Sequence, residues 1–446
     1  MSDLALAALV GLPFAIGLVS LRTHADRATL AVRVSIIGAL AMTLLATLTP
    51  VDVALVLPSG RSLVFSPIAQ LGLQLLGLFS LGLTFALARE PAQSQPNWLS
   101  VTWFHVGGLV VALLLNSLPL ALLAFTAATL LWAFALPEQD RRAASGPVLR
   151  YAALLALAMP LLLGALQIAE ARLTSDAGRV AVEHTVLALA LPGFGLVLGL
   201  VPLHAWTLTL AAGAPRPMLF GVLGLAQTAG FALLLRTVDL HEWLFRGAYG
   251  SFVTLGGAIT ALVGAWLALS SHPDDPDDWL AYAVVANMGM LVAGVGTGSR
   301  AAATGVAILL LARVLALVLL ALKEGAGERA SRLADAAATL TLAGTPPLAG
   351  FAGFFLILTG ARSVSLAAAI ALVAGSALLM ATAVRRWMHA TRSTPRGSLW
   401  QSGPDRTVLV LVLVLLILGL APQLVAGALL DPLRDIFFPD TGLPGL

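Results

Sequence analysis

Apolar stretches of about 20 residues follow one another along most of this sequence, and they limit the chain to one class of fold. A helix of that length crosses the hydrocarbon core of a bilayer, so each stretch predicts a membrane-spanning helix. Only 11% of the residues are charged, against about a quarter in a soluble domain. About fourteen stretches occur, at residues 4–21, 29–48, 67–88, 98–116, 118–136, 148–169, 185–213, 217–236, 248–270, 279–297, 301–322, 336–361, 363–384 and 407–430. We therefore predict an all-α polytopic membrane protein.

The seventh and twelfth stretches are long and contain helix-breaking residues. Proline removes a backbone hydrogen bond and clashes with the preceding turn, so both helices are predicted to be broken. Discontinuous helices at corresponding positions of two halves are typical of an inverted repeat with a polar pathway near the bilayer midplane. Ordinary proline kinks are the alternative interpretation. The breaks are marked by Pro202, Pro215 and Pro217 in the first helix and by Gly344, Pro346 and Pro347 in the second.

This pattern predicts four parts of the chain. Residues 1–97 hold helices 1–3, and the segment 51–67, with a turn sequence at its centre, is predicted to be an extracytoplasmic hairpin. Residues 98–238 form the first five-helix repeat, helices 4–8, and residues 248–384 form the second, helices 9–13. Residues 407–446 hold helix 14 and a tail.

The basic residues indicate the orientation of the chain in the membrane. Most of them fall in alternate loops on one side of the predicted helices, and the positive-inside rule assigns that side to the cytoplasm. Both termini are then extracytoplasmic, in a bacterial cytoplasmic (inner) membrane. Because the arginines lie in short loops, the sequence gives little support for nucleic-acid binding. The acidic loop 272–278 either binds a cation or, as the simpler interpretation, caps a helix in solvent.

Few charged side chains lie within the predicted spans, and none of them is a carboxylate. A charge in hydrocarbon is costly, so each interior polar residue is a functional candidate. Arg313 lies in mid-span, as a structural anchor or a pathway gate, and His204 lies at the first break, as a proton-exchanging group or a structural donor. Gln227 and Asn287 favour interhelical hydrogen bonding over ligand binding. His105 is predicted to lie at the membrane interface.

Several kinds of chemistry lack the residues that they need. The sequence has no cysteine, which excludes disulfides and cysteine-ligated clusters. It also has no glycine-rich phosphate loop, no Ser/His/Asp arrangement that we can place and no metal-ligand cluster. We predict no catalytic residue, no metal site and no cofactor, and we do not expect the chain to be an enzyme by itself.

Several local motifs resemble those of the antiporter-like membrane subunits shared by respiratory complex I, the NADH-quinone oxidoreductase, and Mrp-type cation/proton antiporters. The most specific is Pro202-Leu203-His204-Ala205-Trp206, followed by Ala214-Pro215-Arg216-Pro217. The others are Leu225-Ala226-Gln227-Thr228-Ala229-Gly230, Ala281-Tyr282 through Asn287-Met288-Gly289, and Gly344-Thr345-Pro346-Pro347-Leu348-Ala349-Gly350-Phe351. This resemblance implies a fourteen-helix plan.

The resemblance fails at the residues that would carry protons. The family places a glutamate in helix 5, lysines in helices 7 and 8, a lysine before the second break and a lysine or glutamate after it. Those positions here hold Ala128, Val197, Gln227, Arg313 and Phe354. An arginine stays charged and cannot shuttle a proton. Asn287 likewise stands where the family has a histidine.

Three hypotheses follow. The first is an antiporter-like membrane subunit of a respiratory or ion-translocating complex, degenerate in proton pumping, which supplies structure beside other membrane subunits in lipid. The second is a proton- or cation-conducting transporter with a pathway or gate formed by His204, Gln227, Asn287 and Arg313. The third is the membrane subunit of an inorganic-carbon uptake complex, with a soluble partner on the cytoplasmic face.

Overall fold

The computed structural model describes residues 2–24, 27–91, 94–134, 138–171, 179–241, 243, 247–272, 276–323, 326–390 and 403–424. The chain divides into two compact units. Unit 1 consists of Met1–Leu234 and Leu317–Ala326, and unit 2 of Leu235–Ala316 and Gly327–Leu446.

Unit 1 is built from helices and one small β-hairpin. Its elements are α1 (Ser2–Arg22), α2 (Ala28–Leu48), β1 (Val53–Val56), β2 (Ser62–Phe65), α3 (Pro67–Leu87), α4 (Gln95–Leu114), α5 (Leu118–Phe134), α6 (Glu138–Ala171), α7 (Arg179–Leu198), α8 (Ala205–Gly213) and α9 (Arg216–Phe220). A π-helical segment, Gly221–Ala226, continues α9 into α10 (Gln227–Leu240).

The regular secondary structure in the described part of unit 2 is all helical. It contains the end of α10, followed by α11 (Gly247–Ser270), α12 (Pro276–Gly296), most of α13 (Arg300–Leu322), α14 (Glu328–Leu342), α15 (Gly350–Val364), α16 (Leu366–Ala390) and α17 (Gly403–Leu420). The last turns of α13 belong to unit 1.

The apolar stretches of the sequence coincide with these helices. Ten of the helices in the described residues are long and apolar enough to cross a membrane. Shorter apolar helices lie at Leu118–Ala133, Val182–Leu198 and Gly350–Val364. The chain is therefore a mostly helical, multi-pass membrane protein, as its composition predicts.

Two glycines in left-handed backbone conformations end the helices that precede the interruptions. Gly199, with φ +71°, follows α7, and Gly344, with φ +68°, follows α14. Glycine adopts this conformation without the steric cost that a Cβ would bring. A cis peptide bond to proline follows each glycine, at Val201–Pro202 and at Pro346–Pro347.

The residues that close the first interruption begin the next helix. Pro215 precedes α9, and Pro217 lies in its first turn, where a proline costs no helical hydrogen bond. The segment 51–67 contains the antiparallel pair β1–β2, with Val53 opposite Phe65. Of the acidic loop, residues 273–275 lie outside the described residues, and α12 begins at Pro276.

Glycines let α11 and α12 approach at the level of their backbones. A Cβ added to Gly257 would lie 2.4 Å from the backbone nitrogen of Ala293, and one added to Gly289 would lie 2.5 Å from that of Ala261. Gly264 and Gly296 continue the contact a heptad further along each helix, again against backbone atoms. Lipid tails are as apolar as the helix surfaces, so the hydrophobic effect does not drive helices together within a membrane. Close packing of small residues stabilises helix pairs there instead.

Candidate functional site

Arg313 is fully buried in α13 and is held by two acceptors on α12. Its Nη1 donates to the carbonyl oxygen of Val284 at 3.1 Å and to Oδ1 of Asn287 at 3.2 Å. Hydrogen bonds to a buried charge offset part of the cost of removing it from water. The guanidinium is thus fixed in place by the neighbouring helix.

Asn287 connects this arginine to the second helix interruption. The residue is fully buried, and its Nδ2 donates to the carbonyl oxygen of Leu342 at 2.8 Å. Leu342 is the last residue of α14, and the carbonyls in the last turn of a helix have no backbone N–H donor within that helix. One amide therefore satisfies a helix-end acceptor and also orients Arg313, all within unit 2.

Gln227 has the corresponding role at the first interruption, in unit 1. It is 1% exposed, and its Nε2 donates to the carbonyl oxygen of Leu198 at 2.9 Å. Leu198 ends α7 and directly precedes Gly199. Like Asn287, this residue supplies a neutral donor to a carbonyl that the end of a helix has released.

Ser376, on α16, is a residue that the sequence analysis missed. Its Oγ donates to the carbonyl oxygen of Ala343 at 2.7 Å, and Ala343 directly precedes Gly344. The residue before Gly199 and the residue before Gly344 therefore each accept a hydrogen bond from a side chain on a later helix. A buried serine within an apolar helix was the only available signal, and serines also bond within their own helix.

His204 lies between α7 and α8 and is half-buried. Its carbonyl oxygen accepts from Oγ1 of Thr207 at 2.7 Å and from the Thr207 backbone nitrogen at 2.9 Å. Nearby, Nε1 of Trp206 donates to the carbonyl oxygen of Leu196 at 2.8 Å, and the Trp206 ring packs against Tyr151 with centroids 4.8 Å apart. The first interruption is thus closed by backbone, hydroxyl, indole and amide donors.

The prediction that His105 lies at the membrane interface is wrong. His105 is fully buried in the middle of α4, because α5 packs against this part of the helix. Its Nδ1 lies 2.8 Å from the carbonyl oxygen of Ala128, and its ring meets Trp132 edge-on at 5.6 Å. A carbonyl only accepts, so Nδ1 carries the hydrogen in this contact. His105 is therefore a buried imidazole beside a position where the family resemblance implies a glutamate.

The four candidate pathway residues fall into two pairs. Asn287 and Arg313 are in contact in unit 2, and His204 and Gln227 lie at the first interruption in unit 1. Within the described residues, no group of three or more His, Asp or Glu side chains could hold a metal ion. Chemically, these sites offer fixed charge and neutral hydrogen bonding rather than a series of exchangeable carboxylates and amines.

A family model and several curated relatives match this sequence. The model described as "NADH:quinone oxidoreductase/Mrp antiporter, TM" matches residues 141–380. NADH-quinone oxidoreductase subunit N of Cereibacter sphaeroides is 29% identical over 315 residues, which cover 64% of this chain and 66% of the relative. Subunit N 1 of Solidesulfovibrio magneticus is 27% identical over 272 residues, which cover 54% of this chain and 58% of the relative. The match thus spans less than two thirds of each relative.

Solved structures show the same fold over nearly the whole chain. A chain of respiratory complex I from Thermus thermophilus with bound NADH has a TM-score of 0.78 at 22% identity, covering 97% of this chain and 99% of that one. A chain of the Mrp complex from Dietzia sp. DQ12-45-1b has a TM-score of 0.78 at 18% identity, covering 98% of this chain and 52% of that one. At these identities the likeness concerns the fold.

Proposed function

This chain belongs to the NADH:quinone oxidoreductase/Mrp antiporter transmembrane family, and from that membership we propose that it is an antiporter-like membrane subunit of a multi-subunit respiratory complex of the NADH-quinone oxidoreductase type. In this role it supplies helices and interfaces to neighbouring membrane subunits and does not itself pump protons. A soluble part of the complex would meet its cytoplasmic face.

The hydrogen bonds of the interior polar side chains support this proposal. Gln227, Asn287 and Ser376 each donate to a backbone carbonyl at a helix interruption, and Arg313 is held by α12. Three positions where the family resemblance implies ionisable residues are apolar and buried, namely Ala128, Val197 and Phe354. Side chains engaged in satisfying the backbone stabilise the bundle, and a permanently charged arginine does not relay protons.

The proposed topology has fourteen spans, with both termini outside the cytoplasm of a bacterial cell. The first inverted repeat covers residues 98–238 and the second covers residues 248–384. Two equivalent hydrogen bonds support the repeat. Gln227 and Ser376, each on a later helix, donate to the carbonyl of the residue directly before Gly199 and Gly344, respectively. The bias of arginines toward one side supports the orientation.

Isolation of the tagged chain from its native membrane tests the proposed role. In a mild detergent, we expect stoichiometric copurification of other membrane subunits and of soluble electron-transfer subunits, identified by mass spectrometry. An unrelated multi-pass protein with the same tag, expressed at the same level, controls for nonspecific carry-over. Recovery of the chain alone, or only as a self-oligomer, would refute the subunit assignment.

Two imidazoles in unit 1 favour a second candidate function, proton conduction of the Mrp antiporter type. His105 is fully buried and His204 is half-buried, and imidazole is the side chain best suited to exchange protons near neutral pH. In this case the lost lysines and glutamates are replaced by histidines and bound water. Replacing either imidazole by glutamine would then lower proton flux through a fully assembled protein.

A further inference from the structure

A cavity of about 240 Å³ lies in unit 1, where α3 and α13 end and α9 begins. Its lining combines apolar side chains with three charged ones. The apolar part includes Leu83, Leu87 and Phe220, and the charged part consists of Arg89, Glu90 and Arg216. All three charged side chains are half-buried.

The turn that carries Arg89 and Glu90 is held in place from two directions. The Arg89 guanidinium donates to the carbonyl oxygen of Leu322, at the end of α13. Nε2 of Gln95 donates to the carbonyl oxygens of Ala88, at 3.0 Å, and of Glu90. A site whose charged groups are already ordered loses less conformational entropy when a ligand binds.

Arg216 is positioned by the prolines on either side of it. Pro215 precedes α9, Arg216 is its first residue and Pro217 is its second. Pro215 fixes its own φ just before Arg216, and Pro217 restricts the backbone of Arg216 because it directly follows that residue. The second guanidinium therefore also starts from an ordered backbone.

The charge and depth of the cavity favour an anionic group at the membrane surface. Two guanidinium groups and one carboxylate leave a net positive charge even if Glu90 pairs with one arginine. Guanidinium groups match phosphate oxygens in a bidentate geometry. Because the cavity lies at the ends of predicted spans, it sits at the depth of lipid headgroups, where basic pockets between helices bind anionic lipids.

We propose that this cavity binds the phosphate of an anionic phospholipid, with the headgroup inside the cavity and the acyl chains outside it. The cavity volume suits a headgroup rather than a whole lipid. It is smaller than the roughly 300 Å³ at which pockets begin to enclose a whole drug-sized ligand. The apolar wall formed by Leu83, Leu87 and Phe220 suits the glycerol and the first methylenes. The site requires no transport activity and is independent of the proposed function.

Lipid titration of the purified full-length chain tests this proposal. We expect phosphatidylglycerol to raise the thermal unfolding midpoint and to remain bound in native mass spectrometry, with phosphatidylcholine doing neither. The Arg216→Gln variant is expected to bind phosphatidylglycerol about tenfold more weakly, as for the loss of one charge-assisted hydrogen bond. Arg362→Gln, which removes an exposed arginine at the end of α15, is the matched control and should bind as the wild type does.

Glu90→Gln provides a test of opposite sign, and it still applies if the Arg216 variant fails to fold. Removing the carboxylate raises the net positive charge, so phosphatidylglycerol should bind more tightly. Inorganic phosphate, added in place of lipid, distinguishes the source of the group: no midpoint shift supports a lipid headgroup, and a shift equal to that with lipid overturns the lipid assignment in favour of a soluble phosphate ligand. Equal binding of the two lipids, or unchanged binding by Arg216→Gln and Glu90→Gln, would also overturn the proposal.

Discussion

Replacing Asn287 by leucine is expected to lower the free energy of unfolding by about 3 kcal/mol, more than replacing Arg313 itself. The leucine leaves the Leu342 carbonyl without its amide donor and removes an acceptor from a buried guanidinium. Arg313→Met leaves Oδ1 of Asn287 unsatisfied but also removes the buried charge, so its cost should be about 1 kcal/mol. Removing the uncharged partner of this pair is the more damaging change, because it leaves the buried charge without one of its acceptors.

The double variant separates this explanation from a general loss of packing. With both changes present, no buried guanidinium remains to be satisfied, so Asn287→Leu/Arg313→Met should be more stable than Asn287→Leu alone. Chemical unfolding in detergent, followed by tryptophan fluorescence, measures all three. Gln74→Leu is the control: it removes a half-buried amide on α3 that donates to Oγ1 of Thr47 at 3.3 Å, away from any helix interruption, and should cost much less stability than Asn287→Leu. Additive losses in the double variant would contradict the contact between the two residues.

Replacing Gly257 by alanine should destabilise the protein by about 1–3 kcal/mol, the usual cost of overpacking. The new methyl group would lie 2.4 Å from a backbone nitrogen of α12, and a backbone cannot rotate away as a side chain can. The neighbouring Gly256 is a stringent control, because nothing lies within 4 Å of the Cβ that would be added there. Gly256→Ala should therefore be neutral or slightly stabilising, since alanine favours helices over glycine.

Thermal unfolding midpoints of the two glycine variants, measured in the same detergent, decide the matter. A lower midpoint for Gly257→Ala together with an unchanged or higher one for Gly256→Ala is the expected pattern. Equal midpoints would mean that α11 and α12 are farther apart than the structure places them.

Much of the helical architecture could be predicted from the sequence, because each membrane span must be a long apolar run. The apolar run at 67–88 coincides closely with α3, and the run at 248–270 with α11. The close approach of α11 and α12 could not be predicted with the same ease. The sequence does not distinguish a glycine that packs against a neighbouring backbone, such as Gly257, from one that faces open space, such as Gly256.

The polar sites were predictable as residue types but not as contacts. Arg313, Asn287 and Gln227 stand out because polar groups are costly in lipid. Their partners are backbone carbonyls, which carry no sequence signal, and for this reason Ser376 was missed. His105 was misplaced because α4 begins at Gln95, so the histidine lies deeper in the helix than the apolar run at 98–116 implies.

The number of protons moved per electron pair is the measurement that tests the central claim most directly. It should be measured on the purified complex in sealed proteoliposomes, with the wild-type chain and with His105→Gln, His204→Gln and Arg313→Met variants whose subunit composition is verified. If interior polar groups of this chain serve structure, every assembled variant should keep the wild-type ratio, even where stability falls. A lower ratio in a fully assembled variant, with electron transfer intact, would contradict the accessory role and identify the replaced residue as part of a proton pathway.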